Sequence, residues 1–266
     1  MGSLPKSHLS HSQINMFLRC PKQYEFRYLE GLVMPPSGNL ILGGAGHKAL
    51  EHNYSQKIDS KKDLKETEVT EYFASEFEER AKEEVDWQDN KPGDLKDGGV
   101  RVLKEYQKTT APLIQPRVVE YEFNIEFENV DYTLKGFIDL ITEKSEVRDH
   151  KISGRSPSTV DDLQLTVYKI AYRYLMGHDP TLTTYDYLIT TKKPQVKMFP
   201  VEITEADEAE YFTLVGEVVG AIGSGCFYRR TNGWWCGAKY CGYYHKCRPH
   251  KNKTFYEFTK EVSDGK

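Results

Sequence analysis

Two aspartates and a lysine occupy neighbouring segments in a pattern that suits metal-assisted chemistry. They stand as Asp139, Asp149 and Lys151 in the stretch GFIDLITEKSEVRDHK. If residues 146–153 form a strand, Asp149 and Lys151 point to the same face, because side chains alternate along a strand. Asp139 lies on the preceding strand of the same hairpin, close enough to share a cation with Asp149. The competing interpretation of the D-x-K tripeptide alone is an ordinary ion pair on a surface hairpin.

The chemistry that this pattern favours is hydrolysis of a phosphodiester. Two carboxylates on one side of a sheet repel each other, and a hard divalent cation with oxygen ligands removes that repulsion. A lysine beside the cation can orient or help deprotonate an attacking water, or neutralise charge that develops on a phosphate. These are the groups that cleavage of a nucleic-acid backbone requires.

The segments around these residues predict a sheet with helices before and after it, which defines an α/β (α+β) fold. Consecutive antiparallel strands are predicted at 118–127, 132–142 and 146–153, and a further strand pair at 183–191 and 195–203. Helices are predicted at 10–29, 64–85, 158–177 and 204–222, with Thr204 as the N-cap of the last. Pro21 bends the first helix or starts a second one. The GGAG run at 43–46 predicts a tight turn before the helix that presents His47.

The length of 266 residues suits one domain that spans 1–266. Its predicted parts are an N-terminal helical part (1–56), a helical insertion (57–115), a catalytic sheet with its helix (116–203), and a C-terminal helix with a cysteine-rich segment (204–266). The sequence contains no internal repeat and no low-complexity linker.

The composition is that of a polar chain with a large charged surface. Hydrophobic residues make up 38% of the chain and charged residues 29%, which is polar for a globular protein. No apolar run approaches the roughly 18 residues of a membrane span, and the N-terminus lacks the hydrophobic core of a signal peptide. We therefore expect a cytoplasmic protein without membrane contact.

The charge of the chain is unevenly distributed. The net charge is −4, and the stretch from Lys57 to Lys91 is dominated by acids, whereas no acid occurs between Cys226 and Lys253. The basic residues of that second stretch are Arg229, Arg230, Lys239, Lys246, Arg248, Lys251 and Lys253. Because the local field decides whether a surface attracts phosphates, this stretch favours contact with nucleic acid. The alternative is that these side chains are merely solvated.

Five cysteines in a chain of this kind argue against a disulfide framework. Cys236, Cys241 and Cys247 are closely spaced, and Cys20 lies far away in the sequence. Four such thiols can hold a tetrahedral zinc ion or an iron–sulfur cluster. Zinc sites are usually built from two close pairs, which this spacing fits poorly, but zinc and free thiols stay open as alternatives. We interpret Cys226 as a small buried residue that binds no metal.

Five motifs follow one another in an order that resembles the RecB-like group of the PD-(D/E)XK nuclease superfamily. They are SHSQINMFLRCPKQYEFRY, GGAGHKALE, GFID, RDHK and QLTVY, the last of which contains Gln164 and Tyr168. The group includes the AddB nuclease domain, CRISPR-associated exonucleases and phage exonucleases. The resemblance spans nearly the whole chain.

This resemblance implies a mixed sheet of the restriction-endonuclease type, flanked by helices. The implied catalytic residues are Asp139, Asp149, Lys151, Gln164 and Tyr168, and the implied ligands of Mg²⁺ or Mn²⁺ are His47, Asp139, Asp149 and the backbone carbonyl of His150. A 4Fe-4S cluster held by Cys20, Cys236, Cys241 and Cys247 would join the N- and C-terminal segments. The four-residue gap after Cys236 is longer than the spacing common in the family.

The resulting hypothesis is a metal-dependent DNA exonuclease that acts at single-stranded ends, with a structural iron–sulfur cluster. We expect Arg229 and Arg230 to contact the DNA. Candidate protein partners belong to recombination, phage or CRISPR-adaptation systems. The alternatives are a CRISPR-adaptation nuclease that trims spacers, a catalytically silent DNA-binding subunit, and an electron-transfer or redox-sensing protein built on the cluster.

Overall fold

The computed structural model describes residues 8–126, 132–160 and 162–249. The strands are β1 (His8–Leu9), β2 (Pro116–Glu126), β3 (Thr133–Thr142), β4 (Glu146–Ser153), β5 (Leu182–Ile189) and β6 (Gln195–Pro200). The helices are α1 (His11–Arg19), α2 (Pro21–Tyr24), α3 (Gly38–Ser60), α4 (Glu66–Arg80), α5 (Pro92–Thr109), α6 (Leu163–Met176), α7 (Glu205–Gly223) and α8 (Tyr244–Cys247). A π-helical turn (Glu25–Leu29) continues α2, and a 3₁₀ turn (Ala111–Leu113) precedes β2.

The six strands form one mixed sheet, which confirms the predicted fold class. Strands β2, β3 and β4 are consecutive and antiparallel, β4 and β5 run parallel, and β5 and β6 form an antiparallel pair. The short strand β1 runs parallel to the start of β3. Phe127, the last residue of the strand predicted at 118–127, lies outside the described residues, and so do the basic residues Lys251 and Lys253.

Helices cover both faces of the sheet and bury an apolar core on each. On one face, side chains of α3, α4 and α5, such as Leu42, Phe73 and Leu103, pack with Leu140 of β3. On the other face, α1, α6 and α7 enclose a second cluster around Val147 of β4. Each fully buried side chain of this size contributes about 1.5–3 kcal/mol. The strands that carry the two aspartates are thus held from both sides.

The GGAG run does not form the turn predicted for it. Helix α3 begins after the N-cap Ser37 and continues without a break through residues 43–46. A methyl group at Gly46 would lie 1.8 Å from Cδ1 of Ile152 on β4. A larger residue here would force the side chain of Ile152 to move, so the close approach of α3 to β4 favours glycine despite its poor helix propensity of about 1 kcal/mol. The correction moves His47 from the start of a helix to its middle.

Most other boundaries agree with the prediction to within three residues, but α4 ends at Arg80 rather than at residue 85, and two further helices differ. Pro21 starts a second helix, and Thr204 caps α7 by accepting a hydrogen bond from the backbone N–H of Asp207. Helix α6 begins at Leu163 rather than at residue 158, and its buried positions start at Leu165. Helix α5 lies within the predicted insertion but was not singled out in the sequence. Among the described residues, no helix is long and apolar enough to span a membrane.

Candidate active site

The sheet opens into a fork at the two aspartates. Strands β3 and β4 pair at only two positions, Leu140 with Arg148 and Ile141 with Val147. Because β2 takes up one edge of β3 along its length, β1 and β4 share the other edge at opposite ends. The backbone of β3 between them is left open, and Asp139 lies at this opening. The next residue on β4 beyond the last pair is Asp149, so both aspartates lie near the mouth of the fork. Of the two, only Asp139 belongs to a group of three metal-ligating side chains within 4.8 Å of one another among the described residues.

Four of the predicted catalytic residues form one chain of contacts. The Nζ atom of Lys151 lies 2.6 Å from Oδ2 of Asp149 and donates a hydrogen bond to Oε1 of Gln164 at 2.7 Å. The Nε2 atom of Gln164 donates to the hydroxyl oxygen of Tyr168 at 2.9 Å. Gln164 and Tyr168 lie one helical turn apart on α6, which places both on the side facing β4. The residues that the sequence spacing predicted to share a face are thus in direct contact in the structure.

Asp139 is fixed by contacts from both α3 and β4. Its Oδ2 atom accepts a hydrogen bond from the backbone N–H of His150 at 2.9 Å and lies 3.2 Å from Nδ1 of His47. The side chain of His150 turns to the other face and bonds to the hydroxyl of Tyr106 at 3.0 Å. His47 and Asp139 are therefore presented to one point, while the imidazole of His150 is buried beneath it.

The pKa shifts at the site reflect burial and mutual contact. Burial alone would lower the pKa of His47, but the Asp139 carboxylate raises it to about 9. Burial would raise the pKa of Asp139, whereas His47 holds it well below its usual range. Burial raises the pKa of Asp149, and the attraction of Lys151 only partly opposes that shift. A metal that binds His47 must displace its proton, so metal affinity will rise with pH.

Glu120 joins this site although the sequence analysis did not identify it. Ligand atoms of His47, Glu120 and Asp139 all lie within 4.8 Å of one another, a grouping suited to a metal ion. Glu120 stands on β2 directly across from Asp139 and has a φ of 49°, which is uncommon for a residue with a side chain. Burial and the nearby Asp139 raise the pKa of Glu120 to about 7. Such strain persists where the surrounding structure enforces it, as at functional sites.

Replacing Glu120 with glutamine is expected to raise the Mg²⁺ concentration needed for half-maximal cleavage by about tenfold, since removing one carboxylate near a metal weakens binding on this scale. The matched control is Glu122→Gln, which removes an exposed acid two residues away on the same strand. Titration of cleavage with Mg²⁺ compares the two variants. If the Mg²⁺ concentration for half-maximal cleavage rose equally in both variants, Glu120 would act only through the negative charge that it adds to the cleft.

Two clefts meet at Gln164, each with a volume of about 500 Å³. The first, which we call the Lys135 cleft, is lined by Glu122, Lys135, Phe137 and Asp139 among others. The second, the Lys151 cleft, is lined by Asn15, Arg19, Lys151, Tyr185 and Tyr187 among others. His11, Ser12 and Gln164 line both. Helix α1 therefore forms a wall that passes from one cleft to the other, with the carboxylates between them.

A separate cavity gathers the four cysteines that the resemblance assigns to a cluster. Cys20, Cys236, Cys241 and Cys247 all line it, together with Gln23, whose Nε2 donates to Sγ of Cys241 at 3.1 Å. Burial raises the pKa of Cys247, Arg229 opposes that shift, and the three other thiols add to it. Thiolates so close to one another repel, and a bound metal centre would remove that repulsion.

Cys226 does not fit the prediction of a buried residue, because its side chain is exposed. It follows Gly225, whose φ of 71° turns the chain after α7, and the turn directs Cys226 outward. Arg229 and Arg230 line the thiol cavity rather than either cleft at the carboxylates. Arg230 donates to the carbonyl of Leu18 at 2.6 Å and lies over the ring of Trp235.

The sequence model of the PD-(D/E)XK nuclease superfamily matches residues 8–248, and the chain belongs to this superfamily. A solved structure from Eubacterium rectale, of a protein named as a candidate exonuclease, is similar with a TM-score of 0.56 and 14% identity. The match covers 86% of this chain and 87% of that chain, and it shows the fold. The structure of SSO0001 matches at 16% identity over 82% of this chain and 95% of that chain, with a TM-score of 0.33. No curated protein matches the chain. Membership of the superfamily supports a nuclease with DNA as its substrate.

Proposed function

We propose that the protein is a metal-dependent DNA exonuclease that hydrolyses phosphodiester bonds at single-stranded ends. The observation that carries this proposal is the contact chain from Asp149 through Lys151 and Gln164 to Tyr168, at the fork where Asp139 also lies. A structural role alone does not require a buried carboxylate, a lysine and a histidine–aspartate pair to converge beside an open cleft.

His47, Asp139 and Asp149 would hold the catalytic metal, with Glu120 as a further oxygen ligand and the carbonyl of His150 as implied by the resemblance. Imidazole and carboxylates together suit Mg²⁺ or Mn²⁺. When bound, such an ion polarises the phosphate and lowers the pKa of a water molecule.

Lys151 would stabilise negative charge on the phosphate that is attacked. Burial lowers the pKa of Lys151, but the Asp149 carboxylate more than offsets this, so the ammonium group stays protonated. Gln164 accepts from Lys151 and Tyr168 accepts from Gln164, which fixes the direction of the lysine side chain. A fixed donor of this kind stabilises a transition state better than a mobile one, because it needs no reorganisation during the reaction.

The depth of the site supports single-stranded substrates. The side chain of Asp149 is fully buried, so a phosphate must enter the fork to approach it. A single strand is narrow and flexible enough to do so, whereas both strands of a rigid duplex would meet the walls formed by α1 and α6. The clefts on either side give room for the nucleotides that flank the scissile bond.

We also propose that the four-cysteine cavity holds a 4Fe-4S cluster rather than zinc. Zinc sites are usually built from two close pairs of ligands, whereas here one cysteine lies far in sequence from three that are closely spaced. All four thiols line one cavity, which supports a single shared centre.

The test uses end-labelled single- and double-stranded DNA with anaerobically purified protein. We expect shortening of the single strand from its end with Mg²⁺ or Mn²⁺, complete inhibition by EDTA, and recovery when the metal is restored. Lys151→Ala should abolish cleavage, and Lys108→Ala, which changes an exposed lysine on α5, should not. Tight DNA binding without cleavage in either metal would instead identify a silent DNA-binding subunit.

A further inference from the structure

A third cavity adjoins the two clefts on the side of Lys151. It has a volume of about 410 Å³ and is formed by the loop between β4 and α6, with Arg155 in its lining. Tyr187 lines both this cavity and the Lys151 cleft, so the two are neighbours. We call the third cavity the Arg155 pocket. Together with the Lys135 and Lys151 clefts it forms a continuous series along the site.

The two ends of this series differ in charge. Among the described residues, no carboxylate lines the Lys151 cleft or the Arg155 pocket, whose cationic side chains are Arg19, Lys151 and Arg155. The Lys135 cleft, in contrast, contains Glu122 and Asp139 beside its single lysine. Asp149 offsets the charge of Lys151, but Arg19 and Arg155 remain on this side, and a polyanion is attracted to positive charge that is not offset. The field therefore favours a nucleic-acid strand on the side of Lys151.

The lining of the Arg155 pocket has the chemistry of a phosphate-binding site. Its polar groups are the hydroxyls of Ser153, Ser156, Ser158 and Thr159, with the guanidinium of Arg155. Arg155 is exposed, and within residues 8–126, 132–160 and 162–249 its guanidinium forms no ion pair. Hydroxyl and guanidinium groups bind phosphate oxygens without reading the bases.

We propose that the Arg155 pocket binds a backbone phosphate of the substrate strand, at least one nucleotide away from the scissile bond. The uncut strand then lies along the Lys151 cleft and the Arg155 pocket, and the released nucleotide occupies the acidic Lys135 cleft. This inference rests on the proposed function for its substrate class. The inference adds to that function the direction in which the strand crosses the site, and it names Arg155 as the residue that binds the strand.

Arg155→Ala should lower the magnitude of the salt dependence of DNA binding by about 0.7 in the logarithmic slope, as expected for the loss of one phosphate contact on a single strand. Binding is measured by fluorescence anisotropy of a labelled long oligothymidylate with Ca²⁺ in place of Mg²⁺. In cleavage assays, the ratio of kcat/KM for the long oligonucleotide to that for a trinucleotide should fall about fivefold, and Arg155→Lys should restore part of it. Arg101→Ala, an exposed arginine on α5 in the other layer, should change neither quantity.

The outcomes separate this inference from the proposed function. A variant Arg155→Ala with the wild-type salt slope and the wild-type length preference would overturn the strand path, while nuclease activity would still stand. If the wild-type protein binds DNA more tightly than Arg155→Ala but cuts no DNA, the proposed strand path stands and the proposed nuclease activity is refuted. Circular dichroism of each variant checks that the exposed substitution leaves the fold unchanged.

Discussion

Replacing Asp149 with asparagine is expected to lower the rate of DNA cleavage about a thousandfold while the protein keeps its fold. The substitution removes one carboxylate from the proposed metal site and the counter-ion of Lys151, which lies 2.6 Å away. A metal site contributes several kcal/mol to stabilising the transition state, and about 1.4 kcal/mol corresponds to each tenfold in rate. Single-turnover cleavage of end-labelled DNA, with metal in excess, measures the loss.

The same substitution should not destabilise the metal-free protein. Burial gives Asp149 a pKa above that of the unfolded chain, which is about 3.9. A group with a raised pKa contributes stability below the unfolded pKa and loses it as the pH rises through the folded pKa. In EDTA at neutral pH we therefore expect Asp149→Asn to melt close to the wild type, because removing the buried charge offsets the loss of the ion pair with the partly exposed Lys151. Added Mg²⁺ should raise the melting temperature of the wild type much more than that of the variant.

A second buried aspartate provides the matched control. Asp186 on β5 accepts two hydrogen bonds from Arg148, at 2.9 and 3.1 Å, on the face opposite to Asp149. Asp186→Asn leaves a buried guanidinium poorly paired and should cost about 3 kcal/mol of stability, but its folded fraction should cut DNA. If Asp149→Asn cuts DNA at the wild-type rate, or if Asp186→Asn loses cleavage as completely, the assignment of the site is wrong.

The sequence indicated the proposed catalytic residues because the members of each pair lie close together along the chain. Asp149 and Lys151 are two residues apart on one strand, and Gln164 and Tyr168 are one turn apart on a helix, so period alone places each pair on one face. The helix cap at Thr204 is equally local, since its side chain contacts the backbone three residues ahead. Features of this kind need no knowledge of the tertiary structure.

Features that depend on tertiary packing were missed or misread. Glu120 enters the site only because the register of β2 places it across from Asp139, and a strand's register is not evident from its own residues. The glycines at 43–46 locally favour a turn, but they lie inside the continuous helix α3, and the tight approach of Gly46 to Ile152 is evident only in the folded structure. The burial of Cys226 was likewise inferred from residue type, whereas the turn at Gly225 decides its exposure.

Replacing Cys20 with alanine is expected to have the largest effect on stability of any single change outside the core. The cavity that it lines joins two parts of the chain that are far apart in sequence, as the contact between Gln23 and Cys241, 218 residues apart, shows. In the simple chain-entropy model, closing so long a loop restricts the unfolded state strongly. Binding of a metal centre is also coupled to folding, so the loss should reach several kcal/mol.

Colour, stability and activity should separate in the cysteine variants. Cys20→Ala protein should lack the brown colour and broad visible absorbance of an iron–sulfur cluster, and should be poorly soluble. Cys226→Ala is the matched control, because this thiol is exposed and lies outside the cavity, so colour and melting temperature should be retained.

Cleavage by Cys20→Ala should decline only as far as the folded fraction declines, because the thiols do not line the clefts at the carboxylates. Metal analysis, visible spectra and thermal melts of anaerobically purified protein provide the measurements. A colourless wild-type protein that carries zinc would refute the cluster. A Cys20→Ala variant as stable as its parent would refute the role of this cavity in joining the two ends of the fold. If a fully folded Cys20→Ala variant lost cleavage, the thiol centre would take part in the reaction, and the assignment of catalysis to the carboxylates alone would be wrong.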